Sequence, residues 1–358
     1  MSDQGGDALL RDGSAGLKAP ASGSSPGGLS KSPRSLIEVT VPVLVIGVVV
    51  LVLPLFLPSF VTSQVTKIMI YSLFGVSLNI IWGYAGIPSF GHAAFFGVGG
   101  YAAGIMILRA GITSFWLNLL LALIITAVFA AILGFPAFRV FGVGAGNTNP
   151  IYFLLATIAF GEILSRGAIA LRPMTGGSTG LSGISSPDLG FGLIVRSGGY
   201  YYLVFALLVI FLYIIYRIVN SHYGYALRGI HDNERRMQAL GYNTWLYKYT
   251  AWIIAGVFGG AAGVLFAYFG GTMVPNNLAM ITSDIAFLVV ILGSTTTFFG
   301  PIIGSILYVG VEYVASLYLS QRWPLIFGAM FVVTIMFLPQ GLGVGILKSW
   351  RRIVRGTS

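Results

Sequence analysis

Apolar stretches of about 20 residues recur along this chain, and they limit its possible folds more than any other feature. A bilayer core about 30 Å thick needs roughly 20 apolar residues per helical span, because every backbone N–H and C=O group there must be bonded internally. Hydrophobic residues make up 56% of 358 positions and charged residues only 8%, a composition that soluble globular domains do not have. The sequence therefore predicts an all-α, polytopic bundle of transmembrane helices.

We predict ten spans from the positions of these stretches. They are centred on residues 37–57, 66–84, 91–108, 115–135, 151–171, 200–219, 248–270, 283–299, 301–319 and 323–341. Between the second and third spans, the segment from Gly83 to Gly91 holds glycine and proline at membrane depth, which is typical of a broken or re-entrant helix. The first span is expected to remain uncleaved, since Pro54 and Pro58 stand where a small-x-small cleavage site would be.

The net charge of +10 is expected to set orientation rather than to bind nucleic acid. With a cytoplasmic N-terminus, 14 of the 20 Lys and Arg residues fall in inside segments and one, Arg166, falls inside a span. This excess follows the positive-inside rule, so both termini are expected to face the cytoplasm. The outside residues are Lys67, Arg109, Arg172, Arg196 and Arg322.

The two ends of the chain differ from its middle. Residues 1–35 are rich in Ser, Gly and Pro, a composition that cannot bury a core, and we expect a disordered cytoplasmic tail there. The membrane domain is predicted over residues 36–345, with a cytoplasmic loop at 220–247. Residues 346–358 are expected to form a basic cytoplasmic tail.

Glycines spaced four apart inside the spans predict tight helix packing, since small residues let backbones approach closely in lipid. A substrate path lined by backbone is the other interpretation of the same spacing. The pairs are Gly256 with Gly260, Gly259 with Gly263, and Gly300 with Gly304.

The residue types needed for catalysis are scarce. The chain has no cysteine, which excludes disulfides and thiolate chemistry. Its histidines, His92, His222 and His231, lack the spacing of metal ligands. No G-x-x-x-x-G-K-[ST] phosphate loop is present, so any ATP that drives this protein is expected to be hydrolysed by another polypeptide. We expect neither enzyme activity nor a cofactor.

Ionisable residues inside membrane spans are costly and usually functional. Here Glu162 and Arg166 lie four apart, which suits a mutual ion pair. Asp284 and Glu312 are isolated in the sequence, whereas an ion-coupled carrier normally needs clustered carboxylates or broken helices near midplane. Such a carrier and a non-transporting membrane scaffold remain the alternatives from other classes.

The loop from Arg217 to Lys248 is too long and too patterned for a simple turn. Arg228, Asp232 and Arg235 would cluster on one helical face and four apolar residues on another. An amphipathic helix of this kind lies on anionic lipid or docks on a partner protein, and its pattern alone favours neither. The apolar residues are Leu227, Ile230, Met237 and Leu240.

Capping signals define a short helix within this loop. Asp232 is predicted as its N-cap and Gly241 as its C′ residue, with a helix from Asn233 to Leu240 lying parallel to the membrane. The spacing also predicts i,i+4 ion pairs from Asp232 to Arg228 and to Arg236.

Six sequence blocks follow one another in order: Ser77–Gly86, Ser89–Phe95, Thr175–Leu181, Arg228–Gly241, Leu292–Gly304 and Pro339–Leu342. In this order they resemble LivM-type permeases of branched-chain amino-acid ABC transporters, over roughly residues 66–345. The chain departs from the family pattern where Ser77, Ser294 and Thr296 replace usual glycines. Thr179 stands where an acidic or amide residue is common.

The resemblance implies an ABC importer permease in a bacterial inner membrane, translocating branched-chain amino acids by alternating access. It implies three kinds of partner beside the lipid bilayer: a LivH-type permease, a pair of cytoplasmic ATPase subunits that hydrolyse the ATP, and a periplasmic binding protein. Related permeases serve urea, short amides or aromatic acids. The resemblance also favours docking of the cytoplasmic loop on the ATPase over a position on lipid.

Three groups of site residues follow from the resemblance and the pattern together. Coupling to the ATPase is expected at Arg228, Asp232, Asn233, Glu234, Leu240 and Gly241. The translocation pathway is expected at Asn79, Tyr84, Gly86, Ser89, Gly91 and His92, where packing around a helix break explains the same residues equally well. Substrate is expected to enter, or the binding protein to dock, at Thr175, Gly176 and Gly177 on the periplasmic side.

Overall fold

A computed structural model describes residues 51–140, 150–190 and 197–318, with the isolated positions 47, 328–329, 332 and 336. The described residues from Leu51 onward belong to one compact unit. The predicted tails, most of the first predicted span and nearly all of the last lie outside the described residues.

The fold is almost entirely helical. A short strand β1 (Leu181–Ser182) pairs antiparallel with β2 (Thr272–Met273), with Leu181 opposite Met273. A π-helical turn, Ile80–Tyr84, extends the first helix. The helices are α1 (Ser59–Asn79), α2 (His92–Leu108), α3 (Phe115–Val140), α4 (Pro150–Ala170), α5 (Arg172–Thr175), α6 (Ser197–Val219), α7 (His222–Asp232), α8 (Glu234–Ala239), α9 (Thr244–Gly270), α10 (Met280–Gly293) and α11 (Gly300–Tyr318).

Within the described ranges, six helical segments are long and apolar enough to cross a membrane. They match six of the predicted spans, and the count of ten is not confirmed. The six are Ser59–Tyr84, Phe115–Arg139, Ile151–Ala170, Gly198–Val219, Thr244–Gly270 and Gly300–Tyr318.

Two predicted spans are occupied by shorter helices. α2 has 17 residues and α10 has 14, lengths of about 26 and 21 Å at 1.5 Å per residue. The predicted span 283–299 is wrong over its last six residues. The helix ends at Gly293, because Ser294 takes a φ of 135° that no helix accommodates.

The bundle has two ends, which side-chain contacts distinguish. At one end, the Tyr223 hydroxyl of α7 contacts Thr250 of α9 at 2.8 Å; we call this the loop end. At the other, Asn118 of α3 donates to the Tyr268 hydroxyl of α9 at 3.1 Å, near the β1–β2 pair; we call this the hairpin end. Helix α9 therefore runs the full length of the bundle.

The short helices α2 and α10 meet at the centre of the bundle. The backbone N–H of Ala93, in the first turn of α2, donates to the Ser283 hydroxyl of α10 at 2.8 Å. From this level α2 runs to the hairpin end, where Gly104 packs on Leu181. Helix α10 runs to the loop end, and residues 85–91 between the π-helical turn and α2 are not helical. The predicted helix break between Gly83 and Gly91 is thus confirmed.

Backbone-to-backbone contact joins α2 to α9. A Cβ atom on Gly99 would overlap the Gly260 carbonyl, and one on Gly263 would overlap the Phe96 carbonyl. Elsewhere, one on Gly304 would overlap the Val289 carbonyl of α10. The prediction that these glycines serve packing is confirmed, because no side chain fits where the helices touch.

An ion pair ties α1 to α11 on the side of the bundle. The Lys67 ammonium lies 2.7 and 2.8 Å from the two carboxylate oxygens of Glu312. Glu312, which appears isolated in the sequence, therefore has a partner 245 residues away.

We expect Gly263→Ala to lower the free energy of unfolding by about 1–3 kcal/mol, since the Phe96 backbone cannot yield to an added methyl group. The matched control is Gly167→Ala in α4, where a Cβ meets nothing within 4 Å. That change should be neutral or stabilising by up to about 1 kcal/mol, because alanine is the better helix former. Thermal unfolding of both purified variants in detergent checks this, and equal melting temperatures would contradict the packing argument.

Candidate functional site

The loop end carries α7 and α8. Helix α8 confirms the helix predicted for residues 233–240 to within one residue at each end, and α7 precedes it. Helix α7 buries Leu227 and Ile230 against the bundle. Tyr223 donates to the Tyr247 carbonyl at 3.0 Å and contacts the Thr250 hydroxyl. Burial raises the pKa of Tyr223 to about 12, so its hydroxyl remains a donor at neutral pH. These contacts fix α7 to the first turns of α9.

Helix α8 has a cap at each end. The Asn233 side chain accepts from the Arg236 N–H at 2.9 Å, which makes Asn233 the N-cap. The predicted cap Asp232 is wrong: it is the last residue of α7, because Asn233 adopts an extended backbone (φ −160°, ψ 96°) that separates the two helices. Gly241 has a φ of +87°, and the Tyr242 N–H donates to Met237 O at 3.1 Å. Its prediction as C′ residue is confirmed.

Arg228 does not pair with Asp232, nor Asp232 with Arg236, as the spacing predicted. Among the described residues, the ion pairs are Lys67–Glu312 and Lys248–Glu234. The Arg228 guanidinium instead donates to the Val219 carbonyl at 3.1 Å, one of the carbonyls that the end of α6 leaves without a helical partner. It also lies 5.0 Å from the ring centroid of Tyr84.

The ion pair between Glu234 and Lys248 holds α8 to α9. Their charged atoms are 2.7 Å apart, and the Lys248 side chain is only 6% exposed. Glu234 is also the first residue of α8, where the helix dipole favours a negative charge. Lys248, which the sequence indicates only as a topology residue, is therefore part of the site.

The predicted apolar face divides between the inside and the outside of the protein. Leu227 and Ile230 are buried, and Met237 covers Gly229. Leu240 is 67% exposed. The exposed Tyr242 and Leu246 follow it, the latter in the first turn of α9, and we call these three apolar residues the tip.

The six predicted pathway residues do not form one surface. Ser89, Gly91 and His92 are buried at the start of α2, where His92 Nε2 lies 2.8 Å from the Ser77 hydroxyl. Tyr84 and Gly86 lie at the loop end instead, against α7.

Asn79 connects these two levels. Its amide donates to the Thr297 carbonyl at 3.4 Å, in the turn between α10 and α11. The neighbouring Gly83 packs on Asn79 and on the Thr295 carbonyl of the same turn.

Thr175, Gly176 and Gly177 lie in a tight turn at the hairpin end, opposite α7 and α8. The Thr175 hydroxyl donates to the Leu171 carbonyl at 2.8 Å. Gly176 and Gly177 have φ values of +78° and +67°, and a Cβ on Gly176 would overlap the Gly180 carbonyl. The geometry of the turn accounts for both glycines.

Residues 60–338 match the family described as branched-chain amino acid transport system / permease component. The chain belongs to this family. The match includes α1 to α11, and so covers both ends of the bundle. No solved structure matches the chain significantly.

Named relatives agree with this membership. The chain is 30% identical over 301 residues to the high-affinity branched-chain amino acid transport system permease protein LivM of Salmonella typhimurium, covering 77% of this chain and 68% of the relative. It is 27% identical over 316 residues to a probable LivM of Methanocaldococcus jannaschii, covering 76% and 90%. Identity to the permease protein LivH of Salmonella typhimurium is 23% over 293 residues, covering 78% and 93%.

We expect Asn233→Ala to destabilise α8 by about 1 kcal/mol, because the Arg236 N–H loses its acceptor. Amide hydrogen exchange across residues 234–240 should then accelerate roughly fivefold. Asn233→Asp keeps an acceptor and should preserve protection. Asp232→Ala should leave α8 unchanged; faster exchange in that variant would restore Asp232 as the cap.

Proposed function

We propose that this chain is the transmembrane permease subunit of a binding-protein-dependent ABC importer that carries branched-chain amino acids across a bacterial inner membrane. The observation that carries the proposal is the tip: a helix pair is fixed to the bundle, and just past its end Leu240, Tyr242 and Leu246 are exposed. Family membership supports the same role. An exposed apolar surface of this kind is suited to bind in a hydrophobic groove of a partner protein.

The partners are a LivH-type permease, two ATPase subunits and a periplasmic substrate-binding protein. The relatives named LivM and LivH support a pair of different permeases. The chain itself lacks a phosphate loop, so ATP hydrolysis belongs to the ATPase subunits, and this subunit is a transporter component without a cofactor of its own.

Coupling runs through the tip and the caps of α8. Closure of the ATPase pair moves α7 and α8 as one rigid body, as domain rotations do in other switches. Glu234 and Tyr223 pass that movement to α9 through Lys248 and Thr250. The bundle then alternates between outward- and inward-facing states.

The orientation follows from this assignment. The loop end and both termini face the cytoplasm, and the hairpin end faces the periplasm. Thr175, Gly176 and Gly177 then lie where the binding protein docks or the substrate enters. The buried polar residues Ser89 and His92, with the backbone around Gly91, lie near the middle of the substrate path.

The assembled complex in proteoliposomes should take up radiolabelled leucine with ATP and the binding protein, and an uncoupler should not reduce this uptake. Uptake that collapses with the uncoupler would indicate an ion-coupled carrier instead.

A thermal-shift screen of the cognate binding protein against leucine, isoleucine, valine, urea, short amides and aromatic acids identifies the substrate. Stabilisation by urea, by short amides or by aromatic acids alone would identify that compound class as the substrate instead of branched-chain amino acids.

We expect Glu234→Lys and Gly241→Pro to leave membrane insertion intact but to abolish substrate-stimulated ATPase activity. The first places two cations together at the α8–α9 contact. The second forces a residue fixed near −65° into a φ of +87°. The charge-swapped double variant Glu234→Lys with Lys248→Glu restores the ion pair and should recover stimulation. Full stimulation in both single variants would contradict the assignment.

A further inference from the structure

The π-helical turn Ile80–Tyr84 is held on one side by α7. The Arg228 guanidinium lies over the Tyr84 ring at 5.0 Å, a distance at which a cation is attracted to an aromatic face. Gly86 has a φ of +73°, and a Cβ there would lie 2.6 Å from His231 Cδ2. We call these two contacts the π-turn contact.

On its other side the π-helical turn packs on α10 and on the turn that follows it. The Trp82 ring stacks on Phe287 of α10 with centroids 4.2 Å apart, and Phe90 stacks on the same ring at 4.2 Å. Gly83 packs directly on the Thr295 carbonyl. A displacement of α7 must therefore either break the π-turn contact or move the π-helical turn. Movement of that turn must in its own right either carry α10 with it or break the stacking on Phe287.

Two buried polar atoms at this junction lack hydrogen-bond partners. They are the side-chain oxygen of Asn79 and the hydroxyl of Thr297, an acceptor and a donor on residues already joined by the Asn79 amide bond to the Thr297 carbonyl. Unpaired buried polar groups are destabilising, so an arrangement that brought these two atoms together would satisfy both. The junction thus has the chemistry for a second arrangement.

From these observations we propose that the π-turn contact transmits the movement of α7 to the π-helical turn, and through it to α10 and residues 294–299. Tyr84, Gly86, Arg228 and His231 are positioning residues in this inference, and two of them were predicted as pathway residues. Helix α10 begins beside Ala93 at the centre of the bundle, so the movement reaches the level where α2 and α10 meet. The inference rests on the proposed function, since it needs ATPase subunits that displace α7.

The experiment measures leucine transported per ATP hydrolysed by the complete complex in proteoliposomes. In Gly86→Ala the methyl group meets His231, and the ratio should fall roughly tenfold, within the range of ordinary coupling between sites. The matched control is Gly111→Ala, which imposes the same positive-φ strain (φ +64°) where a Cβ meets nothing. Its ratio should equal that of the unaltered complex.

The yield of assembled complex separates transmission from simple misfolding. His231→Ala removes the other side of the contact with Gly86, so its ratio should also fall, while the complex assembles in normal yield. Tyr84→Leu removes the ring beneath Arg228 and should lower the ratio in the same way, and this variant serves if Gly86→Ala fails to assemble.

Different results would contradict the proposed function and the π-turn contact. An unaltered complex without ATP-dependent leucine uptake contradicts the proposed function. An unaltered complex that transports, with Gly86→Ala matching Gly111→Ala or Tyr84→Leu matching the unaltered complex, overturns the π-turn contact alone.

Discussion

Helices α2 and α10 both begin within the apolar bundle, and side chains of neighbouring helices bond the backbone groups at these ends. The Ala93 N–H at the start of α2 donates to the Ser283 hydroxyl, and the Met280 N–H in the first turn of α10 donates to the Glu162 carboxylate. Ser165 donates to the Pro275 carbonyl in the segment before α10. Side chains from neighbouring helices thus replace the missing turns, because an unbonded backbone group is costly in such surroundings.

The long helices could be predicted because hydropathy counts apolar residues, and a full span contains enough of them. The half-length helices could not be bounded in the same way. Residues 294–299 still include Phe298 and Phe299, so the apolar signal continues after α10 has ended. What ends that helix is the positive φ of Ser294 and the close packing of Gly293 on the Gly300 backbone, which are tertiary features.

At the candidate site, the sequence identified one helix end correctly, misplaced the other, and gave no signal for the long-range contacts. Gly241 was identifiable because a left-handed C′ position selects glycine. The N-cap was misplaced by one residue, since Asp232 and Asn233 are equally good caps and only the backbone between α7 and α8 separates them. The i,i+4 rule assumes a free helix surface, whereas Arg228 meets Tyr84, far away in sequence.

The brevity of α2 and α10 bears on how the chain enters a bilayer during synthesis. Helix α10, with 14 residues, is too short to be inserted alone as a stable span, and α2, with 17, is at the lower limit. Helix α10 is joined to α11 by a tight turn with backbones in contact at Gly293 and Gly300, so the two enter most readily as a hairpin. Helix α2 completes its hydrogen bonding only when Ser283 arrives, some 190 residues later. The packing of α2 is therefore complete only once the C-terminal half of the chain is in place.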